Sequence, residues 1–353
     1  MLSHTRNPAS FGSKVEQNPR PEGRVSTGVT LAERVKPCEM TPAVPSKIKP
    51  RALKPGDTMA IVSPASPIDE ERLLKGCKLI EDGAGIKTKL YSHVYDEAGY
   101  LAGADQDRAK DLMEAFLNPE VSAIMCSRGG YGCARLFPYI DLDVMAQSGK
   151  MFLGYSDVTT LHLALNRRGL VTFYTPMPLT LAYERADWVY ESFFNILAGN
   201  AKMPEKTRRA DTIHAGIVEG EVTGGCMCLL CDSIGTRDPL ETEGKIIVIE
   251  DVDEYPHRVD AMLTHLLNTG HLQACAGIAI GEMTNTNDRY DPTMGGRPWQ
   301  EIILDRIHPL GIPSVMNFPF GHMKTMLSLP FGIRARLDAN AGTLTYLESP
   351  CAD

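Results

Sequence analysis

The chain has 353 residues, 43 % hydrophobic and 23 % charged, which suits about two globular domains and excludes a wholly disordered or collagen-like polymer. Its net charge of −8, from 36 Lys and Arg against 44 Asp and Glu, argues against sequence-independent nucleic-acid binding. No run of about 18 apolar residues marks a membrane span, and nine scattered cysteines read as reduced thiols, so the expected location is the cytoplasm.

Residues 1–46 are rich in Pro, Ser and Asn and read as a flexible N-terminal arm. The body opens at the turn Leu53-Lys-Pro-Gly-Asp57, which feeds the apolar run Met59–Val62. Ser66 and Pro67 have the types expected at an N-cap and first helical position, with Leu73, Leu74, Cys77 and Ile80 as a buried face and Gly83 as the stop. Lys87–Leu90 then reads as a strand and Gln106–Phe116 as a helix. Ala123–Cys126 is a buried strand, followed by a helix near Cys133. Met151–Gly154 is another strand, Asp157–Asn166 a helix and Val171–Tyr174 a strand. Strands alternating with helices indicate an α/β fold with a parallel sheet covered on both faces.

The expected organisation is an arm at 1–46, a domain at 47–185, a linker at 186–212 and a second domain at 213–353. In the second domain Lys245–Ile249 and Gly277–Ile280 read as strands, Val259–Leu267 as a helix and Arg334–Leu347 as a hairpin.

Four stretches carry residues fit for chemistry. Gly154-Tyr-Ser-Asp-Val158 follows an apolar strand and precedes a helix, so Ser156 is either an exposed nucleophile on a sharp turn or an ordinary N-cap. The first free amides of that helix, starting with Asp157, could serve a developing oxyanion. Arg128-Gly-Gly-Tyr-Gly132 also ends a buried strand and reads as an oxyanion loop, an anion cradle or a tight turn. In Glu250-Asp-Val-Asp-Glu254 a strand-end carboxylate could orient an imidazole, bind a cation or face solvent. His322, preceded by Phe-Pro-Phe-Gly, is the histidine set in such a turn. Cys226-x-Cys228-x-x-Cys231 resembles a metal cluster without a fourth ligand nearby, and its cysteines are read as small hydrophobes.

Taken together, and in the order Ser, Glu, His, these stretches resemble the LD-carboxypeptidase family, the muramoyltetrapeptide carboxypeptidases, over about Leu53–Leu347. Further matching pieces are Pro55-Gly-Asp57, Gly224-Gly225, Arg258-Val-Asp260 and Pro319-Phe-Gly-His322. The resemblance implies a flavodoxin-like N-terminal domain, a smaller C-terminal α/β domain and a homodimer. It implies Ser156 as nucleophile, Glu250 as triad acid and His322 as general base. The amides of Asp157 and Gly130 would form the oxyanion hole, with Arg128, Gly129 and Tyr131 in a substrate loop. The implied reaction releases terminal D-Ala from murein tetrapeptides in peptidoglycan recycling, with no metal, cofactor, nucleic acid or membrane involved. The chain departs from the family pattern at Tyr174-Thr175, where His-Gly is usual, and at Cys226, where Asn is frequent. The alternatives are an enzyme like the microcin C self-immunity peptidases, cutting aminoacyl-nucleotide amides, and a ligand-binding protein that keeps the fold without catalysis.

Overall fold

Strands Ala123–Cys126 and Met151–Gly154 are apolar at every position, as strands of a sheet packed on both faces are. The computed structural model describes residues 47–289 and 291–352; the expected arm at 1–46 lies outside them. Its chain order begins β1 (Thr58–Val62), α1 (Glu70–Ala84), β2 (Lys87–Leu90), α2 (Asp105–Leu117) and β3 (Val121–Cys126). Next come α3 (Leu142–Gln147), β4 (Met151–Gly154), α4 (Thr159–Arg167), β5 (Thr172–Tyr174), α5 (Pro178–Leu181) and α6 (Asp187–Leu197). These strands form a parallel sheet in the order β2-β1-β3-β4-β5, the doubly wound order of flavodoxin.

The remaining elements are β6 (Asp211–His214), β7 (Ile217–Cys226), α7 (Met227–Ser233), β8 (Ile246–Val252), α8 (Pro256–Asn268) and β9 (Gly277–Thr284). After them come α9 (Trp299–Ile307), β10 (Ser314–Met316), β11 (Leu329–Phe331), β12 (Arg334–Asp338) and β13 (Thr343–Tyr346). The second sheet runs β13-β12-β7-β8-β9-β10-β6, with β7 to β10 parallel and the outer strands antiparallel. Strand β7 curls this sheet: residues 217–221 pair with β12, whereas 222–226 pair with β8. Its run of Gly and charged residues hides it from a hydrophobicity reading.

Two local expectations shift. Helix α1 is capped by Asp69, whose side chain accepts the Arg72 amide at 2.9 Å, and it ends at a left-handed Gly85 instead of at Gly83. Ser66 is thereby released to bond elsewhere. Its hydroxyl accepts the Tyr131 amide at 3.2 Å, and its own amide donates to Gly129 O at 3.4 Å. The residue read as a cap is a clasp on the glycine-rich loop. The stretch near Cys133 is a 3-10 turn, Cys133–Tyr139, with Pro138 inside it.

One connection matters most for the site. Strand β11, from the C-terminal half, pairs antiparallel with β5, setting Leu329 opposite Tyr174 and Phe331 opposite Thr172. The segment between β10 and β11 must therefore cross from one sheet to the other, and it carries His322. Phe152, Tyr174, Val248, Phe320 and Phe331 belong to one buried apolar cluster drawn from both sheets. Each such aromatic contributes roughly 1.5–3 kcal/mol on full burial, which fixes the sheets against each other.

Candidate active site

Strand β4 delivers the chain to Tyr155 in extended conformation, and Ser156 then turns sharply with φ +66°. A left-handed serine costs on the order of 1–3 kcal/mol and persists only where its surroundings hold it. Three contacts do so. The Ser156 amide donates to the Tyr174 hydroxyl at 3.1 Å. Gly129 presses so closely that a Cβ there would lie 2.8 Å from Ser156 Cβ and 2.9 Å from its Oγ. Asp157, buried beside it, accepts the Cys133 amide at 2.8 Å, tying the turn to the far end of the glycine-rich loop. Burial pushes the Asp157 carboxyl up from its ordinary value, and the Cys133 amide opposes that shift.

Ser156, Glu250 and His322 come from three separate regions of the chain and meet. His322 Nε2 lies 2.9 Å from Ser156 Oγ, and His322 Nδ1 lies 2.7 Å from Glu250 Oε2. The ionised carboxylate only accepts, so Nδ1 carries the proton and Nε2 is left to accept from the serine hydroxyl. The His322 backbone amide also donates to Glu250 Oε2 at 3.3 Å. This close seating needs a glycine before the histidine: Gly321 has φ +112°, and a Cβ on it would meet Glu250 Oε2 at 2.6 Å. Burial disfavours the imidazolium, but the adjoining Glu250 carboxylate, with Asp251 and Asp253, outweighs it and raises the His322 pKa above 6.5.

Glu250 is fully buried, and its other oxygen, Oε1, accepts the Tyr174 hydroxyl at 2.6 Å. Tyr174 therefore touches both the acid and the serine turn. Its phenol is pushed well above 10 by burial and by the Glu250 charge, so it stays protonated and donating. The sequence marked this position only as a departure from a family pattern. Its place at the end of β5, the strand beside β4, was the signal that could have found it.

The remaining expected residues fall around this centre. The Asp157 and Gly130 amides have no hydrogen-bond acceptor among the described residues, whereas the Ser156 amide is committed to Tyr174. Arg128 is braced on its own surroundings, donating to Pro67 O at 3.1 Å and Gly129 O at 3.2 Å. Tyr131 is exposed, its ring tilted against Tyr100 at 5.9 Å. Arg185, which sequence reading passed over, donates to Lys324 O at 3.0 Å and Met323 O at 3.3 Å, fastening the loop just past His322. The Tyr155 ring packs 4.8 Å from the imidazole.

A serine at the carboxyl edge of a doubly wound sheet, hydrogen-bonded to an imidazole on the crossing segment that is in turn bonded to a buried carboxylate of the second sheet, defines a hydrolase of the serine type. Models of the LD-carboxypeptidase N-terminal and C-terminal domains match residues 59–175 and 219–337. A murein tetrapeptide carboxypeptidase of Pseudomonas aeruginosa is 30 % identical over 301 residues, covering 80 % of this chain and 93 % of that protein. The chain belongs to the LD-carboxypeptidase family. Among solved structures, a muramoyltetrapeptide carboxypeptidase from Oxalobacter formigenes superposes with a TM-score of 0.71 at 28 % identity, covering 81 % of this chain and 97 % of its own. The microcin C7 self-immunity protein shares the fold at 24 % identity and a TM-score of 0.78, covering 86 % and 100 %.

Proposed function

We propose that this chain is a serine carboxypeptidase that cuts the L,D-amide bond before the terminal D-alanine of murein tetrapeptides. The observation carrying the reading is the unbroken relay Ser156 Oγ, His322 and Glu250, with separations of 2.9 and 2.7 Å. His322 takes the serine proton as Oγ attacks the peptide carbonyl. The Asp157 and Gly130 amides receive the oxyanion, and His322 then protonates the departing D-alanine amine. Water, activated by the same imidazole, hydrolyses the acyl-enzyme and regenerates Ser156. Glu250 holds the imidazole tautomer and stabilises the imidazolium throughout.

The reading places turnover in the cytoplasm, on free peptides, by a homodimer. Eight cysteines among the described residues are unbridged thiols, which supports a reducing compartment. No helix among the described residues is long and apolar enough to cross a membrane.

The test compares four substrates in one reaction (the tetrapeptide acid, its C-terminal amide, a peptide ending in L-alanine and an aminoacyl-nucleotide amide), following every product by mass analysis. The tetrapeptide acid should be cleaved, and its C-terminal amide should lose roughly 10²-fold or more in kcat/KM, because donors built for the carboxylate are left unpaired. A peptide ending in L-alanine should also fail. Equal cleavage of acid and amide, or preference for an aminoacyl-nucleotide amide, would overturn the assignment.

A further inference from the structure

The sequence triplet Cys226, Cys228 and Cys231 offered metal spacing without enough ligands; folding changes its membership. Cys231 turns away, its thiol directed at Met262 O at 3.6 Å. A carboxylate from the neighbouring strand takes its place. Cys226 ends β7 as the cross-strand partner of Glu250, and Asp251 is the next residue of β8. Cys226 Sγ lies 3.5 Å from Cys228 Sγ and 3.5 Å from Asp251 Oδ1, and the three ligand atoms fall within 4.8 Å of one another.

Those separations can be compared with a coordination sphere. Zinc bonds sulfur at about 2.3 Å and carboxylate oxygen at about 2.1 Å, so tetrahedral geometry separates two sulfurs by about 3.8 Å and sulfur from oxygen by about 3.6 Å. The thiol pair and the Cys226–Asp251 contact already sit near those edges. The carboxylate is also held from outside: Oδ2 accepts the Cys228 amide at 2.9 Å and Oδ1 accepts the Val252 amide at 2.8 Å. Each oxygen keeps a lone pair, and such outer hydrogen bonds are what aim a metal ligand. Cys226 and Asp251 are buried, whereas Cys228 is half-buried and gives an ion a way in.

We propose that Cys226, Cys228 and Asp251 form a site for a thiophilic divalent cation of the zinc class, its fourth position filled by water. Binding replaces the two S–H bonds by metal–thiolate bonds and releases two protons to solvent, leaving one net negative charge on the group. The ion plays no part in the peptide cleavage proposed above. It seats one residue from Glu250, within the same strand pair.

The full chain, stripped with chelator and dialysed, is titrated with Co²⁺ and watched for near-ultraviolet thiolate-to-cobalt absorption. The band should appear, and Zn²⁺ should displace it. It should vanish in the Cys226→Ser/Cys228→Ser double variant and persist in Cys231→Ser, and Asp251→Asn should weaken Co²⁺ binding roughly tenfold or more. Zn²⁺ should also protect Cys226 and Cys228 of the unmutated protein from alkylation, mapped by mass spectrometry, which keeps the test valid should a variant fail to fold. Absence of the band, its retention in the double variant, or protection confined to other cysteines would overturn the proposal.

Discussion

The Tyr174 hydroxyl donates to Glu250 Oε1 at 2.6 Å while accepting the Ser156 amide at 3.1 Å. One phenol thus braces the acid at one end of the relay and the backbone of the serine at the other. Removing that hydroxyl leaves a buried carboxylate short of a donor, a loss of roughly 1.5–3 kcal/mol for a hydrogen bond to a charged group. Tyr174→Phe should therefore lower kcat by about 10- to 100-fold and move KM little, because the hydroxyl positions the relay without binding peptide. Steady-state kinetics check this, alongside a thermal melt; an unchanged kcat in a folded variant would refute the bracing role.

Ser156→Ala, His322→Ala and Glu250→Ala should each reduce kcat by several orders of magnitude. The Ser156→Ala/His322→Ala double variant should lose little beyond the worse single one, because the groups act as one unit and the second loss removes nothing further. Titration of active sites with a fluorophosphonate separates this outcome from misfolding: it should label the parent at Ser156 and leave Ser156→Ala unlabelled.

The pH dependence follows from the direction of the His322 shift. In the proposed mechanism the imidazole must be neutral to accept the Ser156 proton, and Glu250 beside it raises its pKa above 6.5 against the opposing effect of burial. The kcat/KM of the free enzyme should therefore rise with pH through an acidic limb whose midpoint lies above 6.5. Glu250→Gln removes the charge that favours imidazolium, so the midpoint of its residual activity should move downward. An upward move would contradict the electrostatic assignment.

Gly129 offers a steric test that leaves the relay chemistry intact. An added Cβ would sit 2.8 Å from Ser156 Cβ, while the backbone there does not need a positive φ. Gly129→Ala should push Ser156 off its geometry and reduce kcat by on the order of 10²-fold, as displacements near 1 Å do. The melting temperature should shift only slightly. A normal kcat would show that the loop yields instead of the serine.

Much of this was legible in the chain itself because it depends on local chemistry. Fully apolar runs at Ala123–Cys126 and Met151–Gly154 read as buried strands, and their alternation with amphipathic helices indicates a parallel sheet covered on both faces. A serine after such a strand, a glycine before His322 and a carboxylate late in β8 mark the candidate residues by type and position. The turn is also accommodated locally: Gly154 makes room for Val158, since a Cβ on it would lie 2.9 Å from that side chain.

Tertiary structure decided which of these residues meet and what surrounds them. Ser156 and His322 are 166 positions apart, and only the pairing of β11 with β5 carries the histidine loop across to the serine. Tyr174 acquires its contacts the same way, from β5 beside β4 in one sheet and from Glu250 of β8 in the other. Strand β7 itself was invisible, because Gly and charged residues carry no apolar alternation and its place is fixed by partners on both sides. Local propensity names the elements and the reactive groups. Long-range strand pairing brings those groups to hydrogen-bond distance, and no short window of sequence encodes it.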